Sequence, residues 1–202
     1  MKLYTGMGPN PRVVTIAIAE IGSQVETETV DLVAGENRQE AHLARNPAGQ
    51  LPTLELDDGR CIAEITAIVE YLDELAGGSL IGSTAEERAE TRMWTRRIDL
   101  NICETLGNGF RFAEGLPLFE SRMHVIPQAA DDFKAIAREK LAWLDGLMDG
   151  KDFICGDRFT LADILLFAFL DFGASVGQQL DPKCERLQAW FARVAVRPSV
   201  AG

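Results

Sequence analysis

Lys2-Leu3-Tyr4-Thr5-Gly6-Met7-Gly8-Pro9-Asn10-Pro11-Arg12-Val13-Val14 is the stretch on which the fold turns. Residues 2–5 read as a short strand. Two glycines and two prolines within residues 6–11 forbid regular structure, so a loop follows. Asn10 suits a helix N-cap and Pro11 the first helical turn. Val14, Ala17, Ile18 and Ile21 then recur at helical spacing until Gly22. Val25, Thr27 and Thr29 alternate with Glu26, Glu28 and Val30, which suggests a second strand. A strand–helix–strand unit of this kind makes a parallel pair with a right-handed crossover.

Outward from that unit, a short helix is expected over 38–45, then a loop from Asn46 to Pro52. Asp57-Asp58-Gly59 between Thr53–Leu56 and Arg60–Ile62 is the signature of a tight hairpin. Ile65, Ile68, Val69, Leu72 and Leu75 give the next helix an apolar face. Residues 1–77 thus read β-α-β-α-β-β-α, and Gly77-Gly78-Ser79 opens a linker. From Thr84 onward the pattern is helical, over about 84–112, 127–149, 160–175 and 185–196. One of these helices carries an apolar stripe through Phe133, Ile136, Ala137, Leu141, Leu144, Leu147 and Met148. Another opens with Thr160-Leu161-Ala162-Asp163, where Asp163 can reach back to the cap N–H. The expected architecture is an α/β domain, 1–77, followed by an all-α domain, 84–202.

Composition narrows the function. Of 202 residues, 47% are hydrophobic, enough for a real core. The net charge of −11 argues against broad binding to nucleic acid or anionic membrane. The richest apolar run, Leu161 to Phe172, is broken by Asp163 and Asp171, so no membrane span is expected. The start lacks an apolar segment followed by a cleavage site, and a cytoplasmic location is expected. Cys61, Cys103, Cys155 and Cys184 form no C-x-x-C pair and match no zinc spacing. No metal is therefore expected. The cysteines read either as small buried hydrophobes in a reducing cytosol or as redox or nucleophilic groups.

Three stretches together resemble the cytosolic glutathione transferase family: Asn46-Pro47-Ala48-Gly49-Gln50-Leu51-Pro52-Thr53-Leu54, then Glu64-Ile65-Thr66-Ala67-Ile68 with Tyr71-Leu72, then Gly156-Asp157-Arg158-Phe159-Thr160-Leu161-Ala162-Asp163. The likeness spans nearly the whole chain. It implies that the first domain is thioredoxin-like and that Pro52 is cis. It further implies that Leu51 pairs its backbone with the cysteinyl part of glutathione. The helix start at Glu64 and Ile65 would take the γ-glutamyl carboxylate, Glu64 the ammonium, and Gln50 the glycine end. The resemblance also implies a homodimer.

Two positions depart from the family pattern. Members with a serine mechanism often carry Ser-x-x-x-Arg in the first loop; here that Ser is Gly8, four before Arg12. The common Glu-Ser pair is Glu64-Ile65. Asn10 has an amide donor, and its place resembles the loop Asn of the nu-class transferases, which reduce disulfides with glutathione. Asn10, aided by local backbone N–H groups, is therefore the candidate for stabilising the thiolate; it also suits a plain N-cap. Tyr4 and Thr5 are outside candidates. Met7 would touch the second substrate. Arg97, Asn101, Glu104, Asn108 and Arg111 fall on one helix face, which reads as solvent-exposed, as a polar wall of the cleft, or as a subunit interface. Phe110, Phe112 and Phe119 would add an apolar end to the cleft or belong to core or interface. The expected activity is conjugation of glutathione to an electrophile, or glutathione-dependent disulfide or peroxide reduction. The alternative is a non-catalytic module on the same fold, favoured by Gly8 and Ile65.

Overall fold

The computed structural model describes residues 1–201. Strand β1 (Lys2–Thr5) is followed by α1 (Pro9–Ile21), β2 (Glu26–Thr29), a 3-10 turn at Glu36–Arg38, α2 (Glu40–Leu43), β3 (Thr53–Glu55), β4 (Cys61–Ile62) and α3 (Ile65–Leu75). The four-stranded sheet has the order β2-β1-β3-β4, with β1 parallel to β2 and antiparallel to β3. Leu3 sits opposite Leu54, and both are fully buried. Strand β2 is exposed throughout. Its Glu26 and Glu28 both pair with Lys2, at 2.9 and 3.2 Å. Charge on an exposed edge discourages pairing with another chain.

The helical half comprises α4 (Ala85–Ile98), a π turn at Asp99–Cys103, α5 (Glu104–Arg111), α6 (Leu116–Phe119), α7 (Ala130–Gly146), α8 (Leu161–Ser175), α9 (Glu185–Ala195) and α10 (Pro198–Ala201). Helix α8 is its axis: all of Leu161–Leu170 is buried, and the helix packs on α1 and α4. At its start the Asp163 carboxylate accepts the Thr160 N–H at 2.9 Å, so the shorter acid closes the cap. It also accepts from Ile154 N–H and Trp190 Nε1, each at 2.9 Å. On α7 and the turn that ends it, the apolar stripe is narrower than its spacing suggests. Ala137, Leu141, Leu144 and Met148 are buried, while Ile136 and Leu147 stand at the exposed margin.

A buried carboxylate fixes the linker between the halves. Asp73 on α3 accepts from the N–H groups of Ser79 and Leu80, both at 2.9 Å, and of Ile81 at 3.0 Å. Hydrogen bonds to a charged acceptor are the stronger kind. The chain reversal is thereby locked, and Leu80 and Ile81 enter the same core as α8.

The long helix expected over 84–112 is interrupted. An extra residue in the π turn rotates all that follows by about 100°, one residue's worth of an α-helix. The face drawn through residues 97, 101, 104, 108 and 111 is therefore split, with consequences for the cleft.

Candidate functional site

A cavity of about 780 Å³ lies between the two halves. Met7, Gly8, Pro9 and Asn10 form one edge, Gln50, Leu51 and Pro52 its floor, and Glu64, Ile65 and Thr66 a third side. The opposite wall comes from the π turn, α5, α6 and α8. Seven of the residues singled out from sequence thus meet at one cavity: Met7, Asn10, Gln50, Leu51, Pro52, Glu64 and Ile65.

The floor is built by convergence on one carbonyl. The Gln50 oxygen accepts from His42 Nε2 and Asn46 Nδ2, each at 3.0 Å, and from Thr53 Oγ1 at 3.4 Å. His42, Asn46 and Thr53 are all buried. They hold the turn that presents Leu51, whose peptide bond to Pro52 is cis. Among the described residues, neither the N–H nor the C=O of Leu51 has a backbone partner. Gly6 makes room for this: a Cβ there would lie 2.9 Å from the Leu51 side chain and from the Val30 oxygen.

Glu64 precedes α3 with φ 68 and ψ 122, unusual for a residue with a side chain. Such a backbone costs about 1–3 kcal/mol and marks functional sites. It sets Glu64 at the cavity edge, next in the chain to Ile65 and Thr66, whose N–H groups open the positive end of α3. Thr66 restores a hydroxyl to this corner one residue later than the family pattern puts it. Sequence reasoning passed it over because Ile65 occupied the expected place.

At the first loop the cap assignment changes. Gly8, not Asn10, is the N-cap of α1, and its φ of 113 strains any L side chain. A serine is therefore disfavoured there. Asn10 is the second helical residue, flanked by Pro9 and Pro11. Prolines have no N–H, so Asn10 alone among the first three helical residues carries one. The expected group of backbone donors shrinks to Asn10 itself, whose side-chain amide has no protein partner among the described residues. Tyr4 is buried and bonds Glu55 at 2.9 Å, away from the cavity lining.

The far wall corrects the polar face. Arg97 lies over the Trp94 ring at 5.0 Å, and the Asn101 amide donates to the Arg97 carbonyl at 2.8 Å; neither lines the cavity. Asn108 does not line it either and is bonded between Glu104 and Arg111. The register changes at the π turn: Asp99, Cys103, Glu104 and Arg111 line the wall, whereas Arg97 before the turn and Asn101 within it do not. Phe110 and Phe119 line the cavity, whereas Phe112 is buried against Phe133, 5.6 Å between centroids. Arg38, Asn37 and Arg122 also line it and went unnoticed, because they lie in turns with no motif around them. Asn37 is 2% exposed, donates to Gly49 O at 2.7 Å, and leaves its Oδ1 without a partner.

The site's own sulfur is unsuited to attack. Burial, reinforced by Asp99 and Glu104, pushes the Cys103 thiol well above its usual range; the thiolate is the nucleophile. Burial likewise raises Asp99, with Glu104 and Glu64 adding to it against the opposing pull of Arg96. Among the described residues no group of three His, Cys, Asp or Glu side chains is placed to hold a metal. No helix among them is long and apolar enough to cross a membrane.

Comparison with known proteins finds relatives along the whole chain. Residues 1–74 match the family model described as "Glutathione S-transferase, N-terminal domain", and 118–198 match its C-terminal counterpart. The chain is 36% identical to "Glutathione S-transferase 2" of Saccharomyces cerevisiae, over 99% of this chain and 88% of the yeast protein. It is 32% identical to "Glutathione S-transferase GstA" of Escherichia coli O157:H7, over 99% and 95%. A glutathione S-transferase domain-containing protein of Marinobacter aquaeolei VT8 superposes with a TM-score of 0.93 at 38% identity, covering 99% of this chain and all of that one. With a thioredoxin-like half, a helical half and a peptide-sized cavity between them, the chain belongs to the glutathione S-transferase family.

Proposed function

We propose that the chain is a glutathione-dependent transferase in which Asn10 serves the sulfur. The observation that carries this is Leu51, whose unpaired backbone N–H and C=O lie on the floor of a cavity edged by Asn10 and by the start of α3. An extended tripeptide pairs with such a residue as an added strand does. Its γ-glutamyl carboxylate meets Ile65 N–H, Thr66 and the positive end of α3, and its ammonium meets Glu64. Its glycine carboxylate meets Gln50 and Arg38.

The cysteinyl sulfur then lies toward Asn10. A donated amide N–H favours thiolate over thiol, and the thiol proton passes to water. The thiolate attacks a small electrophile: a C–S bond forms and the leaving group departs with the bonding pair. A disulfide is attacked in the same way, one sulfur leaving as thiolate. Neither route needs a protein cysteine or a metal. Gly8 and Ile65 no longer favour a purely binding role, because Asn10 and Thr66 supply polar groups at those two ends of the cavity.

A homodimer in the cytoplasm completes the proposal; Met93 and Leu100, 42% and 51% exposed around the end of α4, are apolar surface that a second copy would cover. Sedimentation equilibrium checks it. The decisive experiment titrates glutathione while following thiolate ultraviolet absorbance. Binding with a thiol pKa well below about 8.5 is expected. Absence of binding at millimolar glutathione would sink the proposal.

A further inference from the structure

On the helical side the cavity is aromatic. Phe110 meets Phe119 and Phe172 edge-to-face, at 6.1 and 4.9 Å, and Phe169 and Met123 complete the wall. Edge-to-face neighbours leave ring faces and edges suited to a further planar ring. Two guanidiniums border this box, and they differ. Arg111 is compensated: Glu104 lies 3.6 Å away, Asn108 Oδ1 accepts at 3.0 Å, and the group sits 6.0 Å over the Phe119 ring. Arg122 is not. Its partner is a neutral one, the Leu32 carbonyl across the cleft at 3.0 Å. Among the described residues no carboxylate lies within ion-pair distance of it.

That is a notable place for an unpaired cation. The chain has 31 acidic residues against 20 basic ones, so counter-ions are abundant. A half-buried charge without one is held at a cost. The Leu32 carbonyl uses one of five guanidinium N–H groups and fixes the head, leaving the others for a planar oxyanion.

We infer that the second substrate is a planar aromatic electrophile carrying an anionic substituent, with its ring in the phenylalanine box and its carboxylate or sulfonate on Arg122. This rests on the glutathione-transferase reading and adds the substrate class to it. With an aryl chloride, the glutathione sulfur bonds the ring carbon, chloride leaves with the bonding pair, and the thiol proton goes to solvent.

The test compares a chloronitrobenzoate with the matching chloronitrobenzamide, chlorine para and nitro meta to the varied group. Each rate is divided by its uncatalysed rate. The benzoate is expected to have the higher kcat/KM, by about tenfold, as a charge-assisted hydrogen bond gives. Added salt should narrow the gap. Arg122→Gln should bring the ratio near one, and Arg122→Lys should keep part of it. A wild-type ratio near one overturns the inference, as does a preference lost in Arg111→Gln but kept in Arg122→Gln. Calorimetry with the two S-aryl glutathione conjugates reads the same preference without turnover. Failure of glutathione itself to bind overturns the transferase reading. Binding of glutathione with equal or no affinity for the two conjugates overturns only the anionic substrate.

Discussion

Nε2 of His42 lies 3.0 Å from the carbonyl oxygen of Gln50, one residue before the Leu51 backbone that faces the cavity. A carbonyl only accepts, so this nitrogen carries the hydrogen. His42 is 3% exposed and never reaches the cavity lining itself. It is a positioning residue. His42→Ala is expected to raise the KM for glutathione several-fold with a smaller change in kcat. His42→Gln, which keeps a donor, should recover part of the loss. A kcat effect as large as the KM effect would argue against positioning.

Asn10 acts on the sulfur itself. Asn10→Ala should raise the pKa of bound glutathione and lower kcat while preserving most of the affinity. Because Pro9 and Pro11 have no N–H, few nearby amides can compensate. The thiolate titration of the bound peptide measures the shift. An unchanged titration curve removes Asn10 from the mechanism.

Asp163 accepts four hydrogen bonds while fully buried, joining Thr160, Ile154 and Trp190. Burial raises its pKa, and these donors oppose the rise. Asp163→Ala takes the acceptor away from buried donors on three residues, Thr160, Ile154 and Trp190, at a cost of about 3 kcal/mol or more. Chemical denaturation followed by tryptophan fluorescence reads it directly. A loss within 1 kcal/mol, roughly that of an ordinary surface change, would contradict this account.

Glu20 on α1 bonds Arg197 and, at 2.6 Å, Ser199, tying the C-terminal segment to the helix that carries Asn10. Burial pushes its pKa up, but Arg197 and Ser199 outweigh that, and the net direction is downward from 4.5. A carboxylate depressed in the folded state binds fewer protons there than when unfolded. Its stabilising contribution is therefore complete above the ordinary glutamate value and fades as pH falls below it. Unfolding measured from neutral pH into that acidic range should show a shallower loss in Glu20→Gln than in wild type. Parallel curves would exclude the linkage.

Much of this was readable in the chain. Periodicity gave α3 and α8, and Asp57-Asp58-Gly59 gave the hairpin, because local preference and burial agree there. The cavity floor was readable through Leu51 and Pro52 because the resemblance lies in one contiguous stretch. Other parts lacked a local signal. Helix α6 is four residues with a proline, too short for any period. The π turn is made of residues that suit an α-helix equally well, so nothing at Asp99–Cys103 announces it. Gly8 was legible as a loop residue, but its role as the N-cap depends on a φ of 113, which only the folded backbone reveals. Arg38 and Arg122 reach the cavity from turns 84 positions apart, a proximity that tertiary packing alone creates.

The π turn carries an evolutionary implication. Deleting one residue between positions 99 and 103 would rejoin α4 and α5 as a continuous helix and swing Glu104 and Arg111 out of the wall. The Glu104–Arg111 pair beside the aromatic box is thus set in place by a single residue of the π turn. The glutathione floor, residues 49–52 and 64–66, lies before this turn in the chain, so the two sides of the cavity are open to change independently of each other.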